Sequence, residues 1–549
     1  MIGVAASALA KPASPAQPRT PAKAKAAAQA QSAEELAWTA VADKTAACLG
    51  REDPVCIEAL LPELRKLAPA GSVSHDYAHG VAHFLTGRFA EAKVVLAKVA
   101  GHAQASPDLR ERAESWIELA ESTATVLANA KPHRLAGGKV TAWVRPGPDE
   151  VLIGYLDTVL DKALPKLEAA FGPAPVPIVV HVYPHADDLA KVSGLTTQQI
   201  RTSGTIALCK HNRVMLTSPE DLVFGYGWAD TLAHELVHWF VIKRGGPAVP
   251  LWLHEGMARS LQGLWRGADP GQLDRDERQI AAWARKTKRF IELERMHPSI
   301  AALPSQLDAQ LAFAEVHHAV AWALQRAATK AGRPVAQAQG AGEWVALFGQ
   351  GLGQSAAFVQ LLGMTPQVFS AAWRKDWHKL DLRDAPELGH KPLLIFRNSV
   401  GKDQAKLTHP QARRFAELGD RFAVLKRPLA AAIEYRKALA AAPADGPLLV
   451  ARLVRMLLDV NKTADALEYL TPALASYPEH APLHVLAGRV AVLRSQWKDA
   501  LESLERAAWL NPYDPQVHAL AAQAFAALGQ DGEAAAARGR LAMVEGQGL

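Results

Sequence analysis

The sequence predicts an α+β domain flanked on both sides by all-α helical-repeat regions. Segments with strand character are confined to the middle of the chain, at Lys139–Val144, Pro177–Pro184 and Ser203–Pro219. The first alternates apolar and polar residues, the second is apolar and β-branched, and the third has two apolar runs around Lys-His-Asn. Helical periodicity dominates on either side, and small residues recur at a fixed spacing near the C-terminus.

The composition limits the classes of protein to which this chain can belong. The chain has 549 residues, 49% of them hydrophobic and 21% charged, which is typical of a packed globular protein of several domains. Its basic residues are scattered without interleaved aromatic residues, so no nucleic-acid partner is predicted. No apolar run approaches the roughly 20 residues of a membrane-spanning helix, so no integral membrane segment is predicted.

Residues 1–34 are predicted to be a flexible tether or a clipped signal segment. MIGVAASALA is apolar and ends in Ala-Leu-Ala, like the end of a secretory signal, but lacks a cationic start. Export to the periplasm or cell envelope is the favoured location, with the cytoplasm as the alternative. Cys48 and Cys56 can pair across a short loop in an oxidising compartment, whereas Cys209 lies in a strand-like run.

Helical repeats are predicted at both ends of the chain. Residues 35–130 are helical and resemble tetratricopeptide units, most clearly at His83–Ala100. A Pro- and Gly-rich linker at 381–410 precedes a second array at 411–545. There, alanines separated by 35, 34 and 34 residues are followed by prolines twelve residues after each of the first three; the alanines are Ala431, Ala466, Ala500 and Ala534. A period near 34 is the tetratricopeptide signature and predicts a solenoid that binds a protein partner.

The segment AHELVHWF carries the candidate chemistry. His234 and His238 are four residues apart on a helix predicted from about Trp228 to Lys243, so both imidazoles can face one ion. Glu235 lies about 100° around the helix, where it can accept a proton from an attacking water. In LWLHEGMARS, a second helix brings Glu255 toward the imidazoles as the third ligand of a Zn²⁺ ion.

These two segments resemble the glutamate-zincin (gluzincin) metallopeptidases, especially bacterial peptidase MA-like domains, over about Lys139–Leu380. The resemblance implies a zincin-like domain at 138–380, in which the metal ligands are His234, His238 and Glu255 and the general base is Glu235. It also implies an edge strand that pairs with the substrate, for which Val214–Pro219 is the candidate.

Two positions depart from this family pattern. Arg259 stands where relatives have an acid that braces a histidine ligand, and Asp230 is the candidate replacement. Relatives often have an oxyanion-stabilising tyrosine in a later helix. Here His317 is the catalytic candidate for that role, with a packed helix histidine as the other interpretation.

The predicted function is zinc-dependent hydrolysis of peptide bonds in a peptide or protein substrate, with the repeats as a protein-binding scaffold. The alternative is an inactive metallopeptidase-like domain in a tetratricopeptide-repeat adaptor. A third hypothesis is metal-assisted hydrolysis of a non-peptide amide.

Overall fold

A computed structural model describes residues 21–546, apart from gaps at 69–71, 198–199, 201–204, 297–299, 301–302, 333–336, 386–395, 398–406, 408 and 444–445. The predicted linker at 381–410 therefore lies largely outside the described residues. The same holds for residues 1–20 of the predicted tether, whereas its remainder overlaps a helix that begins at Pro21.

Five helices form the N-terminal region. They are α1 (Pro21–Gly50), α2 (Pro54–Leu67), α3 (Ser74–Leu85), α4 (Phe89–Ala100) and α5 (Pro107–Val126). Consecutive helices pack against each other around a shared apolar core. The loop between α1 and α2 is closed by a disulfide between Cys48 and Cys56, which confirms that these cysteines pair.

A five-stranded sheet follows, made of β1 (Lys131–Leu135), β2 (Val140–Val144), β3 (Ile178–Tyr183), β4 (Ala207–Lys210) and β5 (Arg213–Thr217). Its strand order is β1-β2-β3-β5-β4, with β2, β3 and β5 parallel and the two outer strands antiparallel to their neighbours. The predicted edge strand, Val214–Pro219, is therefore wrong, because β5 lies inside the sheet between β3 and β4. The edge on this side is β4.

Helices pack on and beyond this sheet. They are α6 (Val151–Phe171), α7 (Ala186–Ser193), α8 (Trp228–Gly245), α9 (Leu251–Leu261), α10 (Arg275–Thr287), α11 (Gln306–Ala331), α12 (Gln337–Gly349), α13 (Gln354–Leu362) and α14 (Pro366–Trp377). One continuous apolar core joins them to the sheet. Helix α8 contacts β4, β5, α6 and α9, so it lies at the centre of this region.

The C-terminal region is four helix pairs. They are α15 (Pro410–Val424) with α16 (Pro428–Ala441), α17 (Gly446–Leu458) with α18 (Thr463–Ser476), α19 (Ala481–Leu493) with α20 (Trp497–Leu510), and α21 (Pro515–Ala527) with α22 (Asp531–Val544). The four repeating alanines lie on the second helix of each pair and are fully buried. A methyl group at that position allows the paired helices to approach closely, so the alanine recurs once in each helix pair.

The predicted fold class, an α+β zincin-like domain between helical-repeat flanks, is wrong. Helices, counted together with the short 3-10 turns, make up 72% of the described residues, and the only sheet among them is small. Each strand is only four to six residues long. The segments predicted as strands do form strands, but most of residues 138–380 are helical, so the sheet does not set the class.

No helix among the described residues has the length and apolar character needed to cross a membrane.

Candidate metal centre

Helix α8 presents two imidazoles on one face because of its apolar pattern. Leu232, Leu236 and Phe240 are fully buried and fix the opposite side of the helix in the core. His234 and His238, four residues apart, are consequently directed together and remain partly accessible. The sequence pattern thus determines both the helix and the face that carries the histidines.

The third side chain comes from α9, after a sharp reversal. Gly246 ends α8 with a φ of 68°, a conformation that favours glycine, and Pro250 precedes the first residue of α9. Gly256 follows the candidate ligand Glu255. A Cβ at Gly256 would lie 2.5 Å from the backbone oxygen of Val316, so only glycine permits α9 and α11 to pack this closely.

The three side chains meet at one point. The Nε2 atoms of His234 and His238 are 3.1 Å apart, and Glu255 Oε2 lies 3.5 Å from the first and 3.6 Å from the second. Zinc bonds of about 2.0–2.1 Å in tetrahedral geometry require ligand atoms about 3.3 Å apart. The triangle has the size of one face of a zinc tetrahedron, so this donor set fits the ion.

No other group of three or more histidine, cysteine or acidic side chains in the described part of the chain converges in this way.

The ionisation of Glu255 suits a cation. Burial alone would raise the pKa of Glu255, but His238 and His234 lower it well below its usual range, so the carboxylate is ionised. Burial alone would lower the pKa of His238, and Glu255 instead raises it above its usual value, so this imidazole must release a proton before it binds a metal ion. Two imidazoles and an anion held out of water are a stable arrangement only when a positive charge is shared among them.

Glu235 lies beside the centre rather than in it. Its side chain is buried, and the backbone N–H of Cys209 on β4 donates a hydrogen bond to its carboxylate. Burial raises the pKa of Glu235 above the usual value. A carboxylate whose pKa is raised toward neutrality is better suited to accept a proton and return it. Its contact with β4 also places this base next to the edge of the sheet.

Two side chains that the sequence analysis did not single out contact the ligand imidazoles. Gln262, at the end of α9, places its Oε1 3.1 Å from Nδ1 of His234. His254 places its Nδ1 3.3 Å from Nδ1 of His238. Gln262 follows Glu255 by seven residues, two helical turns, so its position on the same face of α9 was available from spacing alone.

Asp230, the predicted brace for a ligand, is engaged elsewhere. Trp265 Nε1 donates to its Oδ1 at 2.7 Å, and the Arg266 guanidinium binds both of its oxygens. Arg259 lies 3.7 Å from Glu277 and stacks over the ring of Phe313. Neither residue contacts a metal ligand through these interactions.

His317 is buried and held at both ring nitrogens. Its Nδ1 is 2.9 Å from Glu277 and its Nε2 is 2.9 Å from the carbonyl oxygen of Pro270. Burial alone would lower the pKa of His317, but Glu277 raises it, so both nitrogens carry protons and donate. His317 is not among the three converging side chains, and a role on an oxyanion would require it to leave one of these partners.

Comparison with known proteins identifies the C-terminal array. Residues 457–524 match the family model described as tetratricopeptide repeat. These residues are a tetratricopeptide repeat. The match covers parts of the second, third and fourth helix pairs and does not extend to the metal centre. No curated protein matches the chain.

Among solved structures, a chain in "Crystal structure of APC/C hetero-tetramer Cut9-Hcn1" is similar. The alignment covers 93% of this chain and 94% of that chain at 14% identity, with a TM-score of 0.24. A likeness at that level carries no information about what this chain binds.

Proposed function

We propose that this chain is a protein-binding repeat scaffold whose central region holds a zinc ion between His234, His238 and Glu255. The tetratricopeptide match supports the scaffold, since such repeats stack into a surface for peptides or proteins. The single observation that carries the metal site is the triangle of donor atoms, with sides of 3.1, 3.5 and 3.6 Å. Of the two functions predicted from sequence, the comparisons favour the adaptor.

Hydrolysis of peptide bonds at this centre is the second candidate function, and the environment of Glu235 favours it. When bound, zinc supplies polarisation of a carbonyl group and lowers the pKa of water. Glu235 would take the proton of the attacking water and return it to the leaving amine, which its raised pKa assists.

The edge strand for a substrate would be β4. It pairs with β5 on one side and has no further neighbour in the sheet of the described residues. Because Cys209 on β4 also contacts Glu235, an extended peptide added to β4 would run past the base.

The disulfide between Cys48 and Cys56 supports placing the chain in an oxidising compartment such as the periplasm or cell envelope.

One experiment separates the two functions. Zinc content and turnover of an unstructured protein, casein, are measured for wild type, Glu235→Gln and His238→Ala. Both candidate functions require about one zinc ion per wild-type chain. The ion should be retained in Glu235→Gln and lost in His238→Ala. Hydrolysis by wild type that falls by about 10²-fold or more in Glu235→Gln establishes the peptidase.

Zinc without turnover leaves the scaffold with a non-catalytic metal site. A zinc-free wild-type chain, prepared without chelators, contradicts the metal centre altogether.

A further inference from the structure

The ring nitrogens of His234 and His238 that face away from the centre have specific partners. An imidazole that coordinates an ion through Nε2 carries its proton on Nδ1, and that proton needs an acceptor. Gln262 Oε1 lies 3.1 Å from Nδ1 of His234, and His254 Nδ1 lies 3.3 Å from Nδ1 of His238. Both contacts are within reach of an N–H donor that fixes the tautomer of the ligand.

These partners come from the helix that also supplies Glu255. His254 precedes Glu255 directly and is buried, and Gln262 follows it by two helical turns. A single rigid element therefore sets the third ligand and the orientation of both imidazoles. Gly256 holds that element against α11 by backbone contact, which limits any shift of the whole set.

Both partners are uncharged. Gln262 accepts through an amide oxygen. The Nδ1 of His254 faces an N–H donor and must therefore carry a lone pair, which makes its ring the neutral tautomer.

The nearby charged groups are engaged in other contacts. Asp230 is bound by Arg266 and Trp265, and Arg259 pairs with Glu277. A carboxylate brace for either imidazole is thus not provided by these residues.

We propose that Gln262 and His254 are positioning residues for the metal centre and that, as neutral acceptors, they hold zinc less tightly than a carboxylate brace would. This inference rests on the proposed zinc site. A carboxylate acceptor increases the basicity of a ligand imidazole, whereas an amide or a neutral imidazole does so less. The site is consequently tuned toward reversible occupancy.

The test compares Gln262→Met with Gln262→Glu in the full chain. Methionine keeps the length and lacks the acceptor oxygen, and glutamate installs the carboxylate. Gln360→Met, on the exposed face of α13, is the matched control. Zinc affinity is measured by competition with a chromophoric chelator. We expect about 10–100-fold weaker binding for Gln262→Met, about 10-fold tighter binding for Gln262→Glu and no change for the control.

His254 provides a second pair in case a Gln262 variant fails to fold. His254→Asn keeps an acceptor near the Nδ1 position and should retain most of the affinity, whereas His254→Phe should lose it about as much as Gln262→Met. Zinc binding by wild type that is unchanged in Gln262→Met and His254→Phe overturns this inference alone. Absence of zinc from wild type overturns the proposed site and this inference together.

Discussion

The two helical flanks hold the same central helix by different chemistry. The N-terminal region contacts the C-terminal end of α8 through the loop between α1 and α2. There, Lys243 Nζ donates to the backbone oxygen of Arg51 at 3.0 Å and also to that of Glu52. Glu52 in turn accepts from the backbone N–H of Asn212, in the β4–β5 turn, at 2.8 Å. This interface is polar and directed at backbone atoms.

The C-terminal array contacts the other end of α8 through aromatic rings. Trp509 lies 5.9 Å from Trp228, 4.9 Å from Trp265 and 5.3 Å from Tyr155, measured between ring centroids. One backbone hydrogen bond, from Tyr226 to Leu510, accompanies this cluster.

Because their chemistry differs, the two interfaces should be disrupted by different kinds of substitution. Hydrogen bonds to loop carbonyls require one loop conformation, so the N-terminal contact depends on the interactions that fix the loop between α1 and α2. Aromatic burial is non-directional and scales with area, so the C-terminal contact depends on ring volume. Because His234 and His238 lie between these two contacts on α8, both flanks stabilise the helix of the metal centre.

The largest effect is expected at the aromatic interface. Trp509→Ala removes the ring shared by three partners and should lower the free energy of unfolding by about 3 kcal/mol. Denaturant unfolding, followed separately in the array and the central region, should then show two transitions. Trp497→Ala, a half-buried tryptophan within the array, is the control and should not separate them. A single transition in Trp509→Ala would contradict the interface.

A smaller effect is expected from the disulfide that closes the N-terminal loop. Replacing Cys48 and Cys56 by alanine should cost about 2–3 kcal/mol, because a short loop is no longer constrained in the unfolded chain. Unfolding is measured with and without a thiol reductant. Reductant should destabilise wild type to the level of the double variant and leave the variant unchanged. Equal stability of all four samples would show that the loop does not need the bond.

The smallest effect is expected at Lys243. Lys243→Met leaves two loop carbonyls without their donor and should cost about 1–2 kcal/mol at neutral pH.

The pH dependence of this difference has a defined sign. Burial lowers the pKa of Lys243 from 10.5 to about 8. Between these values the unfolded chain binds the proton that the folded chain has released, so the stability contributed by this residue rises as pH increases from about 8 to 10.5. The stability of wild type minus that of Lys243→Met should therefore increase over this window. A difference that stays flat or falls would place the charged amine outside the buried interface.

The internal position of β5 in the sheet agrees with the residue pattern of this strand. All five of its residues are buried, as expected of a strand covered on both faces. The continuous apolar run Val214–Leu216 is typical of a central strand, whereas an edge strand more often alternates. Strand order nevertheless depends on pairing between segments far apart in sequence, which local pattern does not encode.

The repeat period and the helix of His234 and His238 follow from the sequence, because each depends on spacing along one element. Glu255 lies on the next helix, and its place beside the imidazoles was predicted from the motif that follows the Gly-Gly-Pro break. Packing between elements, by contrast, makes β4 the sheet edge, brings Gln262 and His254 into contact with the imidazoles, and gives Asp230 and His317 other partners. The hydrogen-bond partner of each of these side chains depends on which polar neighbour is within reach after the helices pack. Distances and burial between elements determine this, and the periodicity within a single element does not encode it.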